Sequence, residues 1–407
     1  MGPGMRSDRS RRSAIPRTVW ALGLVSFFMD VSSEAIHALL PLFLTGALGA
    51  SVAMVGLIDG VAESTAAVSK VFAGYLSDRW GRRKPLILVG YGLGAMTKPL
   101  FAIAGGPFIV LLARFADRIG KGIRGAPRDA LIADVTPAEI RGRAFGLRQG
   151  LDTAGAFVGP LAAIALMFAL ANDIRLVFWA AFLPALLAVA CVLLGVDEPA
   201  ARAEAGKTLS PISWKDMRQF TQGFWTVVVI GVVFTLARFS EAFLVLEAHD
   251  EGLPLALAPA VLVAMNVVYA LGAYPAGAIA DKAPASGLLL AGLAALILAD
   301  AAFVLIPDLV GAFAGVGLWG LHLALTQGLL AKLVADHAPE HLRGAAFGVF
   351  NLATGLSLLF ASLIAGSAWE IWGANATFLI GAGFAAAAAI LVLSSRRAMM
   401  GAHRQTD

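Results

Sequence analysis

Apolar residues recur along this chain in blocks of spanning length, not in the short alternating runs of a half-buried sheet. Twelve blocks stand out, at 18–45, 52–77, 84–104, 108–132, 143–169, 174–195, 222–247, 254–280, 286–305, 309–334, 343–366 and 373–395. A helix of about 20 apolar residues crosses the hydrocarbon core of a bilayer, so each block predicts one transmembrane helix. The longest polar interruption, 196–221, divides the blocks six and six. The pattern therefore predicts an all-α polytopic membrane protein: a leading segment at 1–17, a six-helix bundle at 18–195, a linker at 196–221, a second six-helix bundle at 222–395 and a tail at 396–407.

Composition supports that class. Hydrophobic residues make up 59% of the 407 positions, charged residues only 14%, and the mean hydropathy is +0.80; a soluble domain carries about 25% charged residues. The single cysteine, Cys191, excludes an intramolecular disulfide and a cysteine metal cluster. It sits in an apolar run, where it reads as a small hydrophobe. Lys and Arg concentrate in the leading segment, the 78–84 loop, the linker and the tail, whereas the loops on the other side hold only Arg175. By the positive-inside rule both termini face the cytoplasm; a cell inner membrane is the expected location. The basic start MGPGMRSDRSRRSAIPR leads into an apolar run longer than a signal h-region, so no cleavable signal is expected.

Charges inside the apolar blocks mark the candidate chemistry. In FFMDVSSEAIHALLPLF, 27–43, Asp30, Glu34 and His37 are spaced to fall on one helical stripe. Ionisable residues cost several kcal/mol in a bilayer and mark ion or solute pathways. In LLARFADRIGKGIRGAPRDALIAD, 111–134, Arg114, Arg118, Lys121, Arg124 and Arg128 form a cationic stripe, with Asp129 and Asp134 as acids near the gate end. Arg148 with Asp152, and Arg238 with Glu241, are spaced for pairing along a helix. Lys70, Lys98 and Asp300 are further charges within blocks, while Asp59 and Glu63 are read as facing the outer vestibule. Trp319, His322 and Gln327, with Asn266 and Tyr269, are weaker candidates for solute contact.

The chain also repeats itself. ADVTPAEIRGRAFG, 133–146, returns as ADHAPEHLRGAAFG, 335–348, with eight of fourteen positions identical. AGYLSD, 73–78, returns as AGAIAD, 276–281, and Ser33-Glu34-Ala35 as Ser240-Glu241-Ala242. Two parallel six-helix repeats belong to a known transporter logic.

The loop GYLSDRWGRRKP, Gly74 to Pro85, resembles the signature loop of the major facilitator superfamily, G-x-L-a-D-x-x-G-R-[RK]. With twelve segments, a 6+6 repeat and a central linker, the resemblance covers essentially the whole chain. It implies a gate latch at Gly74, Asp78, Gly81, Arg82 and Arg83. Gly74 permits close helix approach, and Asp78 is placed to cap a helix or pair with Arg82 or Arg83. In segment five, Gly146, Gly155, Gly159 and Pro160 resemble the pattern of the superfamily's proton-coupled exporters, with Ala163 where a glycine is usual. The small residues permit tight packing and Pro160 a kink or hinge. Arg118 and Gly122 resemble the fourth-helix motif, in which the arginine assists proton handling, with Lys121 where the family has Gln.

These readings converge on a secondary transporter working by alternating access: proton-coupled efflux of a small molecule. The proton-coupling or solute residues are then Asp30, Glu34, His37, Arg118, Lys121, Arg148, Asp152, Arg238 and Glu241. The alternative is proton-coupled import of an anionic metabolite or metal chelate on the segment-four cations. A membrane-embedded enzyme is remote, because no H-E-x-x-H, Walker loop or G-x-S-x-G occurs, and nothing resembles a repeated channel filter. Expected partners are a small-molecule substrate, protons and the lipid bilayer. A monomer is expected, with no cofactor, no resident metal and no nucleic acid.

Overall fold

The structure is a computed structural model that describes residues 15–80, 82–198, 217–280, 284–339 and 342–395; within these, the side chains of 71, 74–80, 138 and 280 are not described. Among the described residues there are thirteen helices of nine residues or more and no strand. In chain order they are α1 Arg17–His37, α2 Val52–Trp80, α3 Lys84–Ile103, α4 Pro107–Val135, α5 Arg141–Ala169, α6 Ile174–Gly195, α7 Gln222–Leu236, α8 Ala242–Asp250, α9 Ala260–Ala280, α10 Ala285–Leu305, α11 Leu309–His337, α12 Arg343–Trp372 and α13 Ala374–Ser394. After α1 the chain continues through a short helix, Leu40–Leu42, and a π-helical stretch, Phe43–Ala47.

Among the described residues ten helices are long and apolar enough to cross a membrane. The two predicted segments outside that set are the fourth and the seventh. The fourth, α4, carries five cations and three aspartates over 29 residues, which dilutes its hydropathy. The seventh is not one helix over 222–247, as its apolar run predicts: it breaks at 237–241 into α7 and α8. No glycine or proline marks this break. Ser240 lies in it, and its hydroxyl accepts from the N–H of Ala242, the first residue of α8, at 3.2 Å, a local bond that competes with a continuous helix.

The internal repeat is visible in the backbone. α4 and α11 are both 29 residues long, and their bounds differ by a constant 202. Each ends just before the repeated Pro–Arg–Gly turn, closed by Ile140 N–H to Pro137 O at 3.1 Å and by Leu342 N–H to Pro339 O at 2.9 Å. Arg141 and Arg343 then open α5 and α12. At the far ends of those helices the chain turns through left-handed backbone, at Ala171 and Asn172 in the first half and at Gly373 in the second.

Contacts divide the chain into two compact units. One comprises Met1–His37, Ser69–Ala104 and Leu112–Ser210, the other Ala38–Val68, Gly105–Leu111 and Pro211–Asp407. In the first unit, apolar residues from four helices interlock: Val19, Leu22, Val25 and Met29 of α1, Ile87 and Tyr91 of α3, and Ala185, Ala188 and Val192 of α6, each set spaced three or four apart, with the neighbouring Leu131 and Ile132 of α4. α3 and α4 meet backbone to backbone, since a Cβ on Gly90 would stand 2.7 Å from the Gly120 carbonyl oxygen. In the second unit an aromatic chain forms the core: Phe239 against Trp319 at 5.2 Å and Phe378 at 5.8 Å, with Phe303 stacked on Phe378 at 4.4 Å.

Helix caps fit their sequence. Asp173 precedes α6 and its Oδ1 accepts from the Arg175 and Leu176 amides at 2.9 and 3.2 Å. Asp173→Ala is expected to lower stability by about 1 kcal/mol, measured as a small downward shift in the thermal unfolding of the purified protein; an unchanged midpoint would mean the cap contributes nothing.

Candidate functional site

The first unit brings the predicted acids and cations of α1, α4 and α5 together. Asp30, Glu34 and His37 lie along α1, and His37 Nδ1 is 3.5 Å from Glu34 Oε2. The charged groups around Asp30 are Asp152, Lys121, Glu34 and Arg124; those around Glu34 are His37, Lys121 and Arg118. α5 presses on α1 at this level. A Cβ on Gly155 would stand 2.5 Å from the Phe27 carbonyl oxygen and 3.1 Å from Asp30 Cβ, and one on Gly159 would stand 2.9 Å from Glu34 Cβ. Two glycines of the segment-five pattern therefore hold the α1 acids against α5. Gly146 does not take part, since a side chain there would meet open space. Pro160 lies inside α5, which is helical from Arg141 to Ala169.

The cationic stripe is less uniform than its spacing implies. Arg114, Arg118, Arg124 and Arg128 are buried, whereas Lys121 is exposed. Its partners come from four helices. Lys98 of α3, 1% exposed, makes a 2.9 Å ion pair with Asp117 Oδ1 and donates to Ser33 Oγ at 3.0 Å. Arg118 Nε lies 3.7 Å from the other Asp117 oxygen. Arg124 stacks over the Tyr91 ring, 4.5 Å from its centre. Arg128 donates to Ser26 Oγ at 3.0 Å, to Tyr91 Oη at 3.3 Å and to Asp129 Oδ1 at 3.1 Å. Asp152 stands between two arginines, 3.4 Å from Arg148 and 3.9 Å from Arg128.

Sequence reading missed Asp117, which pairs with Lys98, and Tyr91 and Ser26, which receive Arg128. Asp117 sits between Arg114 and Arg118, and its intrahelical neighbours gave no hint of a partner on α3. The available signal was Lys98 itself, a lone cation in an apolar helix that needs an acid within reach.

At the loop between α2 and α3, Arg83 Nε pairs with Asp134 Oδ2 at 2.7 Å. The side chain of Asp78 and all of Gly81 lie outside the described residues, as does everything about Gly74 beyond its helical backbone; Arg82 is exposed. The Arg83 and Lys84 amides donate to Glu198 Oε1, and Lys84 Nζ donates to the Leu193 and Val196 carbonyls at 3.3 and 2.6 Å.

Arg238 and Glu241 belong to the second unit and lie in the 237–241 break, so the helical spacing on which their pairing was expected does not exist. Glu241, Glu63 and Tyr269 surround Arg238. Asp59 is 4% exposed and accepts from Ser240 Oγ at 2.7 Å, which ties α2 to the break; it does not face a vestibule. Trp319 and His322 are fully buried, and the His322 ring stacks on Phe234 at 5.1 Å with Nδ1 2.8 Å from the Gly292 oxygen. Among the described residues no group of three or more His, Cys, Asp or Glu is placed to hold a metal ion.

Known proteins agree with this architecture. A protein of Methanocaldococcus jannaschii described as an MFS-type transporter is 30% identical over 398 residues, covering 96% of this chain and 97% of its own. A multidrug resistance protein, MdtH, of Yersinia enterocolitica is 34% identical over 114 residues, 28% of each chain. The crystal structure of a bacterial homologue of the human lysosomal transporter Spinster superposes with a TM-score of 0.75 at 17% identity, over 96% of this chain and 99% of the other. Residues 22–362 match the family described as the Major Facilitator Superfamily. This polytopic membrane protein belongs to the major facilitator superfamily of transporters.

Proposed function

We propose that the chain is a proton-coupled secondary transporter that exports a small molecule across the inner membrane by alternating access, with both termini cytoplasmic. One observation carries the reading: the α1 acids Asp30 and Glu34 are half-buried among Lys121, Arg118 and Arg124, with α5 packed directly behind them through Gly155 and Gly159. An acid beside a cation pairs with it when ionised and lets go when protonated, so a proton and a conformation compete for the same contact. The partial similarity to a multidrug resistance protein supports export as the direction.

A second reading has its own observation. Lys98, Arg114, Arg118, Arg124 and Arg128 are all buried in one unit, a cationic excess that suits an anionic solute. Screening a deletion strain against toxicants and nutrients, followed by flux in proteoliposomes on any hit, separates the two by the direction of accumulation. In the same vesicles, Glu34→Gln is expected to reduce substrate-driven proton flux to the level of protein-free liposomes. Flux equal to wild type would remove Glu34 from the coupling site.

A further inference from the structure

The third and fourth helices of the two halves share one register. α3 ends at Ile103 and α10 at Leu305, while α4 and α11 run from Pro107 and Leu309. That register puts Asp300 of α10 at the position of Lys98 on α3, and Trp319 of α11 at the position of Asp117 on α4. In the first unit these positions hold a 2.9 Å ion pair. In the second they hold a carboxyl group and an indole, and no cation.

Asp300 is 1% exposed, and among the described residues neither of its carboxyl oxygens has a hydrogen-bond partner. The same holds for the indole N–H of the fully buried Trp319. The surroundings of the carboxyl group are set by the break in segment seven. A methyl group on Gly381 would stand 3.1 Å from Asp300 Oδ2, 3.5 Å from the Ala237 carbonyl oxygen and 3.0 Å from the Phe239 ring. A carboxyl oxygen and a main-chain carbonyl oxygen thus both lie within 3.5 Å of that point, beside an aromatic ring. The titratable groups on the elements around it are His322 on α11, held by the Gly292 oxygen, with Lys332, Asp336 and His337 further along the same helix, and Arg238 and Glu241 in the break. Arg238 has Glu241, Glu63 and Tyr269 about it, and α13 carries no titratable side chain.

An ionised carboxylate buried without donors or a counter-charge is so costly that the neutral acid takes its place. The neutral acid supplies its own O–H donor beside the Ala237 carbonyl, where the ionised form would bring only acceptors. We propose that Asp300 is a second proton-carrying site of this transporter, housed in the second unit, whereas the α1 acids belong to the first. It holds its proton while residues 237–241 pack over it. When the break moves away and water enters, the O–H bond breaks and the proton passes to that water. The proposal rests on the proton-coupled reading above, but the protonation it requires is measurable without any substrate.

Infrared spectra of the purified full-length protein in lipid bilayers at pH 7 provide the test, with D2O exchange as the probe of the acid proton. The wild type minus Asp300→Asn difference spectrum is expected to show one protonated-carboxyl band that shifts in D2O. Asp300→Glu should move that band rather than remove it, and this variant serves if Asp300→Asn does not fold. Acid–base titration of wild type and Asp300→Asn should differ by one bound proton. A difference spectrum without a protonated-carboxyl band, or one with ionised-carboxylate bands in its place, overturns the assignment. A lost flux phenotype for Glu34→Gln would leave this result untouched, and the reverse is also true.

Discussion

Asp117→Ala is expected to destabilise the protein by about 3–5 kcal/mol, the cost of leaving a buried cation without its partner. Lys98 is almost wholly enclosed and its ammonium has Asp117 and Ser33 as its contacts. Alanine removes the carboxylate that pairs with Lys98 and also faces Arg118 at 3.7 Å. The measurement is thermal unfolding of the purified protein in lipid or detergent, read as a large drop in midpoint. The double variant Lys98→Met/Asp117→Leu is expected to recover most of the loss, because a buried ion pair replaced by apolar groups of similar volume is often neutral or stabilising. An Asp117→Ala protein that unfolds with wild type would show that the pair does not hold α3 to α4.

Gly155→Leu is the second large effect. The obstacle to its Cβ is the Phe27 carbonyl oxygen at 2.5 Å and the Phe27 Cα at 3.0 Å, which are main-chain atoms that cannot rotate away. α1 has to move off α5, and Asp30 moves with it. Overpacking of this kind costs about 1–3 kcal/mol where the backbone yields, and the displaced acid removes transport as well. Gly146→Leu, on the same helix and facing open space, is the matched control and should stay within about 0.5 kcal/mol of wild type. Equal behaviour of the two variants in unfolding and flux would refute the packing role given to Gly155.

The sequence carried the helices well because each apolar block is long and the repeat doubles the signal. Turns that look unlike in composition, 136–140 and 338–342, share the same closing hydrogen bond, and the repeated Pro and Arg-Gly announce it. Segment seven misled because its break has no helix-breaking residue, only a serine whose hydroxyl both accepts from the Ala242 amide and reaches Asp59. Intrahelical charge spacing found Arg148 with Asp152 but not Lys98 with Asp117, whose partners lie on different helices. Spacing along one helix says nothing of what faces it across a gap. Lys121 shows the same limit from the other side: it shares the stripe with four arginines, yet it alone is exposed.

The contact between the start of α3 and the end of α6 is reciprocal. Glu198 receives the first amides of α3, and Lys84 Nζ donates hydrogen bonds to the Leu193 and Val196 carbonyls at the end of α6, so each charge meets the helix end of opposite polarity. For protein engineering this sets a boundary. Splitting the chain within its long polar interruption, or inserting a reporter there, requires a junction C-terminal to Glu198. A junction a few residues earlier would strip both helix ends of their partners while leaving every apolar segment whole.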